Sequence, residues 1–290
     1  MKILAFGEIL WDEFLSADGN LTHKKIGGAP FNFAAHCAKN GAECYIMTAL
    51  GEDENGRDAL AEVKRLGIGS DYISLLPQYP TGACRVTLKD GLPSYELMTD
   101  VAYDHIPKTA VTADFDALYM GTLAMRCEDS ENSFNSLVNS VSAKEVLFDV
   151  NFRGDFYNEQ RVYNLLSHAT ILKISHEEIG FFGKDGHKEV CRSISQGFPK
   201  LKYICLTLGK DGAMIFDCKN HVFYTSPKPK SKAVSTVGAG DSFAAAFLTG
   251  LLSGFSAEVC LERAVALSDF VVTRTEAIPD YDPEILYNRL

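Results

Sequence analysis

The sequence is poor in every feature that would mark a disulfide-stapled, zinc-bound or membrane-spanning protein. Its eight cysteines stand at 37, 44, 84, 127, 191, 205, 218 and 260, with no CxxC pair. Most lie in apolar surroundings, so they read as reduced core residues of an intracellular protein. The seven histidines include no HxxxH spacing and read as solvated or core side chains. No apolar run is long enough to cross a bilayer. Met1 to Glu8 runs quickly into acids and has no cleavage pattern, so a cytoplasmic location is expected. Positive charge is in the minority, with 28 Lys and Arg against 38 Asp and Glu, a net −10. That argues against a nucleic-acid backbone as ligand, though not against a nucleotide held by backbone amides. No GxGxxG follows the first apolar run, which argues against a nicotinamide dehydrogenase. There is no internal repeat and no low-complexity linker.

What is present is 290 residues, 46% of them hydrophobic, enough for one sizeable α/β domain over 1–290. Short buried-type strands are expected at Lys2 to Phe6, Glu43 to Leu50, Ala117 to Met120, Val146 to Val150, Ile171 to Ile174, Tyr203 to Leu208 and Ala213 to Phe216. Between them lie helical patterns such as Ala59 to Leu66, Ser130 to Val141, Asn158 to Ser167 and Ala257 to Thr273. Alternating strands and helices predict a doubly wound, mainly parallel sheet. Two regions break the rhythm. Leu21 to Ile26 reads as a short strand, and Cys84 to Met98 alternates with period two around a turn at Asp90-Gly91. Lid strands at about 12–26 and 82–104 are therefore expected beside the main sheet, able to close over a site and exclude water.

The chain is organised around Gly238-Ala239-Gly240-Asp241-Ser242-Phe243, small residues that open the apolar helix Asp241 to Leu252. Gly238, Ala239 and Gly240 leave backbone N–H groups uncovered at a helix N-terminus, where the dipole also favours an anion. Asp241 in the first turn is placed to take a proton from a nucleophile facing that hole. An anion hole beside a base is what phosphoryl transfer to a hydroxyl needs. The plainer reading is a tightly packed loop with a helix-stabilising acid. A second glycine turn, Gly27-Gly28-Ala29-Pro30-Phe31-Asn32, also opens a helix, and Asn32 offers the donor and acceptor that suit sugar hydroxyls. Asp12 follows the first strand at the end where open α/β sheets collect ligands. Arg153, after the strand ending at Val150, suits a phosphate or sugar oxygen, or a surface ion pair.

Together with Gly7-Glu8-Ile9-Leu10-Trp11-Asp12, Phe148 to Arg153 and Thr207 to Gly212, these motifs resemble the ribokinase or PfkB-type carbohydrate kinases over nearly the whole chain. Thr81-Gly82, Ser94-Tyr95-Glu96 and Val101 to Asp104 resemble the lid of the fructokinase branch. The resemblance implies a ribokinase-like fold with a small β-sheet lid, and ATP-dependent phosphorylation of a sugar such as fructose. Asp12, Gly28, Asn32 and Arg153 would bind the sugar. Asp241 would be the base, with Gly238, Ala239 and Gly240 as the anion hole. Thr207, Gly209, Gly212, Lys173 and Ser175 would lie along the ATP, and Glu178 would face a magnesium held mostly by phosphates and water. A homodimer through the lid edges is expected, with no nucleic-acid or membrane partner.

Three positions depart from the family's pattern. Ser235 stands where an Asp is usual, Glu276 where Gly precedes Ala277, and Ser175 where Asn begins the Asn-x-x-Glu that ends at Glu178. The first two touch a monovalent-cation site, which puts potassium activation in question; Glu276 could supply the charge that Ser235 lacks. A water could fill the gap left by Ser175.

Overall fold

The apolar strand runs come together in one nine-stranded sheet, in a computed structural model that describes residues 1–16, 18–89 and 92–288. In chain order the strands are β1 (Lys2–Phe6), β2 (Leu10–Leu15), β3 (Leu21–Gly27), β4 (Glu43–Leu50), β5 (Ile73–Leu75), β6 (Gly82–Lys89) and β7 (Leu92–Leu97). They continue with β8 (Phe115–Met120), β9 (Ala143–Asp149), β10 (Ile171–Ser175), β11 (Tyr203–Thr207), β12 (Ala213–Asp217) and β13 (Val222–Thr225). The large sheet runs β13-β12-β11-β10-β9-β8-β1-β4-β5. It is parallel from β11 to β5, with β12 and β13 antiparallel at one edge. The helices are α1 (Ala29–Lys39), α2 (Glu54–Arg65), α3 (Glu128–Ser140), α4 (Glu159–His168), α5 (His187–Gly197), α6 (Ala239–Leu252), α7 (Ala257–Val271) and α8 (Pro283–Tyr287).

Side chains alternate across each strand, and so divide the core in two. On one face Leu4 and Phe6 of β1 pack with Phe134 of α3, Leu165 of α4 and Ile194 of α5. On the other, Ile3 and Ala5 pack with Phe33 of α1, Ala59 of α2, Phe247 of α6 and Leu267 of α7. Helix α6 is buried on every side from Asp241 to Gly250. Its face with Phe243 and Phe247 therefore reports only half of its contacts; the alanines between them are packed as closely.

The small sheet runs β3-β2-β6-β7, with β2 parallel to β6 and the outer pairs antiparallel. It is fastened to the main body by α2. Trp11 Nε1 donates to the Asn55 carbonyl at 2.9 Å, Lys24 Nζ reaches Asp58 at 2.6 Å, and the Lys24 ammonium lies over the Trp11 ring. Where β7 returns to the body, Arg126 donates to the Met98 carbonyl and to both oxygens of buried Asp104.

Several expectations are corrected. Asp12, which follows the first strand, lies within β2, opposite Lys25 on one side and Cys84 on the other. The chain turns so sharply at Gly7 to Ile9 that the lid begins at Leu10, not at 12. Helix α2 begins at Glu54, five residues before the pattern at Ala59 to Leu66, because Asp53 caps it by accepting from the Gly56 amide at 2.7 Å. Helix α6 begins at Ala239, two residues earlier than its apolar pattern indicated, since small residues carry no periodic signal. Helix α5 and strand β5 were not anticipated. The turn at Asp90-Gly91 and Arg289 lie outside the described residues.

Candidate active site

The two glycine turns converge where β1, β8, β9 and β10 end. Gly28 precedes α1 with φ 110°, and Gly238 precedes α6 with φ 79°, both in the region that glycine tolerates best. Added methyls could not be accommodated. One on Gly28 would meet the Glu8 carbonyl oxygen, and one on Gly238 would stand 2.7 Å from the Ala277 carbonyl oxygen. Each turn is thus packed against a specific backbone segment: the end of β1 for the first, the C-terminal loop for the second.

Asn32 and Asp241 join the two turns. Asn32 Nδ2 donates to Asp241 Oδ2 at 2.8 Å, across 209 positions of sequence. Both are buried, at 4% and 8% exposure. Burial raises the Asp241 carboxyl to about 6 and the Asp149 charge adds to this, while Asn32, Lys173 and Arg153 work against it. An acid in this state is still ionised at neutral pH yet basic enough to receive a proton in a transition state. The amides of Gly240 and Asp241 make no hydrogen bond among the described residues, and α6 has no side-chain cap. They remain available to an anion.

Beneath this helix start lies a buried row on the α6 face of the sheet. Lys173 Nζ of β10 meets Asp149 Oδ1 of β9 at 2.8 Å, and the Tyr119 hydroxyl of β8 donates to Asp149 Oδ2 at 3.2 Å. Burial opposes the Lys173 charge, but Asp149 and Glu178 outweigh it and hold the ammonium above its usual range. A methyl on Gly240 would stand 2.8 Å from Lys173 Nζ. The ammonium therefore backs the open amides directly, and adds positive charge where the helix dipole already points.

Around the first turn, Asp12 Oδ2 comes within 3.5 Å of where a Cβ on Gly27 would stand. Burial raises the Asp12 carboxyl, against the charges of Arg153 and Lys25. Arg153 is exposed, and its charge is felt at Glu8, Asp12 and Asp241 alike. The loop that carries it is pinned by a Phe152–Tyr157 stack at 3.7 Å and by Glu178, whose Oε1 accepts from the Phe152 amide at 2.8 Å.

The remaining positions are arranged along the ends of β10 and β11. Glu178 Oε2 accepts from the Ser175 amide at 2.8 Å, so both its oxygens already hold backbone N–H groups. Thr207 closes β11, and Gly209 and Gly212 frame the turn to β12. A Cβ on Gly212 would stand 2.6 Å from Ser226 Oγ, so close packing alone accounts for that glycine. No group of three acids, cysteines or histidines among the described residues could cage a metal. A magnesium carried by phosphates and water, with Glu178 facing its water shell, fits this donor set; an all-protein cage does not.

Two residues of the site were not singled out by sequence. Glu8 is 4% exposed, and its Oε1 accepts from the Ala29 amide at 3.2 Å. His36 is fully buried, one turn after Asn32. Its Nε2 donates to the Ala277 carbonyl and its Nδ1 accepts from the Tyr281 hydroxyl, both at 2.9 Å. Burial lowers it to about 4, so the neutral ring makes both bonds. An acid immediately after an apolar first strand, and a histidine at the i+4 position from Asn32, are the signals that sequence offered.

A parallel α/β sheet with a small lid, a buried acid and a bare helix start define the class, a phosphotransferase acting on a sugar hydroxyl. The chain belongs to the pfkB family of carbohydrate kinases, whose family model matches residues 7–284. It is 26% identical over 265 residues to a fructokinase of Rhizobium leguminosarum bv. trifolii, covering 86% of this chain and 79% of that one. It is 25% identical over 295 residues to an ATP-dependent 6-phosphofructokinase of Thermoanaerobacterium thermosaccharolyticum, covering 96% and 90%. A double-mutant fructokinase of Vibrio cholerae O395, with fructose, ADP and potassium ion bound, superimposes with a TM-score of 0.83 at 18% identity, covering 99% and 97%.

Proposed function

We propose that this kinase transfers the terminal phosphoryl group of ATP to the primary hydroxyl of D-fructose, giving fructose 6-phosphate. The observation that carries the reading is the 2.8 Å bond between Asn32 and Asp241. In support of it, a residue suited to a sugar hydroxyl bonds the acid proposed as base, and that acid lies in the first turn of a helix with open amides. In this reading Asp12, Gly28 and Asn32 hold the sugar, and Asp241 takes the proton from the attacking hydroxyl. The Gly238, Ala239 and Gly240 turn receives the transferred phosphoryl oxygens, with Lys173 behind it and Arg153 at its open side. Thr207, Gly209, Gly212 and Ser175 line the nucleotide. Glu178 would hold magnesium through the ion's water, and the ion would supply charge that neutralises the phosphates. The lid excludes water from the phosphoryl group.

ADP release from ATP and magnesium, measured against fructose, ribose, 2-keto-3-deoxygluconate, tagatose, adenosine and fructose 6-phosphate, tests this reading. The expected result is turnover with fructose above all others. A second reading, a kinase for a phosphorylated sugar or another sugar, has support in the exposed Arg153 and Lys25 beside Asp12 and in the phosphofructokinase relative. Preference for fructose 6-phosphate in the same assay would favour it. Sugar binding without ADP under any salt condition would point instead to a weakly catalytic homologue.

We propose further that the enzyme works in the cytoplasm as a homodimer paired through the lid, whose edges β3 and β7 are unpaired and whose Leu21 and Tyr95 are 55% and 65% exposed. A monomer mass at working concentrations would sink that part. No helix among the described residues is long and apolar enough to cross a membrane.

A further inference from the structure

The site holds two buried side-chain oxygens that nothing satisfies: Glu8 Oε2 and Asn32 Oδ1. Both atoms belong to groups whose other end is already committed. Glu8 Oε1 accepts from the Ala29 amide, and Asn32 Nδ2 donates to Asp241. Ala29 and Asn32 lie three residues apart at the start of α1, so they share one side of the helix. A side chain on a helix leans back toward its N-terminus, which brings the Asn32 amide toward the carboxyl that takes the Ala29 N–H. Left without a donor, each of these buried acceptors would cost roughly 1–3 kcal/mol. A single proton removes both costs.

We propose that Glu8 is a positioning residue that carries a proton on Oε2 and donates it to Asn32 Oδ1. Asn32 is then locked with its NH₂ toward Asp241, and the first glycine turn is tied to the base. The charges that bear on Glu8 are Asp241 of α6 and Arg153 of the loop after β9, and Glu8 in turn raises the neutral hydroxyls of Tyr119 on β8 and Tyr103 in the turn after the lid. Burial raises Glu8 to about 7, against the Ala29 amide and Arg153 and with help from Asp241. As pH climbs past that point, Glu8 loses its proton and turns a second acceptor toward Asn32 Oδ1. The amide then loses its lock, and sugar affinity falls with the fraction still protonated.

This inference rests on the kinase reading for its kinetic arm only. Its direct test is infrared titration of the whole protein, labelled with ¹³C at glutamate carboxyls so that Asp241 does not contribute. One labelled carboxylic-acid band should persist to about pH 7, and the Glu8→Gln variant labelled in the same way should lack it. If every labelled acid band vanishes within the ordinary glutamate range, the proposal is wrong, whether or not the protein is a kinase, and the wild-type titration decides this even if the variant misfolds. In the kinetic arm, the sugar KM of the wild type should rise by up to about tenfold per pH unit above pH 7. Glu8→Gln, whose amide copies the protonated acid, should remove that rise, while Glu8→Ala should raise KM at all pH values. A Gln variant as impaired as the Ala variant would mean that the carboxylate itself is needed, and would overturn the assignment.

Discussion

Helices α1 and α6 both begin at a glycine with positive φ, and neither has a side-chain cap of its own. They nevertheless present opposite surfaces. At α1 the Ala29 amide is taken by Glu8, Pro30 has no N–H, and only the Phe31 amide is unclaimed among the described residues. At α6 the Ala239 amide makes a long 3.3 Å bond to the Thr236 carbonyl, and the next two amides are unclaimed. Lys173 adds charge beneath α6, whereas the buried carboxyl of Glu8 sits against α1. The same local motif is thus closed to anions at one helix and open to them at the other. What differs is the side chain that lies behind each turn, Glu8 or Lys173, and in the proposed reading this makes the first a hydroxyl site and the second a phosphoryl site.

The comparison is broken most severely by Asp241→Asn. The hydrogen bond to Asn32 can survive in part, but the proposed proton acceptor is gone. We expect kcat to fall by roughly 10² to 10⁴, with sugar binding largely retained; single-turnover kinetics with measured sugar affinity separates the two. In the wild type, kcat should fall below about pH 6, where a carboxyl raised to that value takes up its proton and ceases to act as a base.

Gly238→Ala and Gly28→Ala sharpen it. Each forces a Cβ onto a backbone with positive φ, at about 1–2 kcal/mol, and into a neighbouring backbone segment, at a further 1–3 kcal/mol. If the two turns divide the labour as described, Gly238→Ala should lose kcat and ATP affinity, while Gly28→Ala should raise the sugar KM at least tenfold and leave the ATP KM near wild type. Equal losses in both parameters for both variants would erase the distinction. A smaller effect concerns stability. Glu8 titrates at about 7 when folded, against an ordinary value of 4.5. Between these values the unfolded chain releases a proton that the native protein keeps, so Glu8 makes stability fall as pH rises through that window, by up to about 3 kcal/mol. Glu8→Gln should flatten this part of the melting-temperature profile.

The sequence made the glycine turns and the polar side chains that follow them, Asn32 and Asp241, legible because each is a local device: a turn, a helix start and a polar side chain within six residues. The alternation of strands and helices likewise fixed the sheet, since period and length are local. What escaped were residues defined by distant partners. Glu8 matters through Ala29 and His36 through Ala277 and Tyr281, contacts that span 21, 241 and 245 positions. The start of the lid strand that carries Asp12 was legible only approximately, because a six-residue strand, half-buried and mixed in polarity, gives a weak period-two signal. Lys173 and Asp149 were legible only through resemblance, as nothing in an apolar strand pattern says that its two charges meet.

Potassium is expected to have the smallest effect, and it probes the α6 side of the comparison alone. The second turn rests on Ala277, whose carbonyl oxygen is occupied by the His36 Nε2–H. The preceding loop is held by two amides, Val234 and Ser235, on the Val272 carbonyl. Ser235 has no carboxylate, and its hydroxyl accepts from the Val237 amide at 3.3 Å. Glu276 is exposed, and its carboxylate accepts from the neighbouring Thr275 hydroxyl at 2.7 Å. Backbone that family logic would assign to a cation is here held by protein. Exchanging sodium for potassium should therefore leave kcat and both KM values unchanged within error. His36→Ala should destabilise the fold and lower kcat in either salt, by removing the support under Gly238. Ser235→Asp should behave differently, since it returns a carboxylate to the loop beside the open amides. If that variant gains activity in potassium and not in sodium, protein contacts have taken over a cation's task. If the wild type already responds, a cation is bound beside the anion hole in spite of Ser235, and the rigidity attributed to His36 and Ala277 is not sufficient.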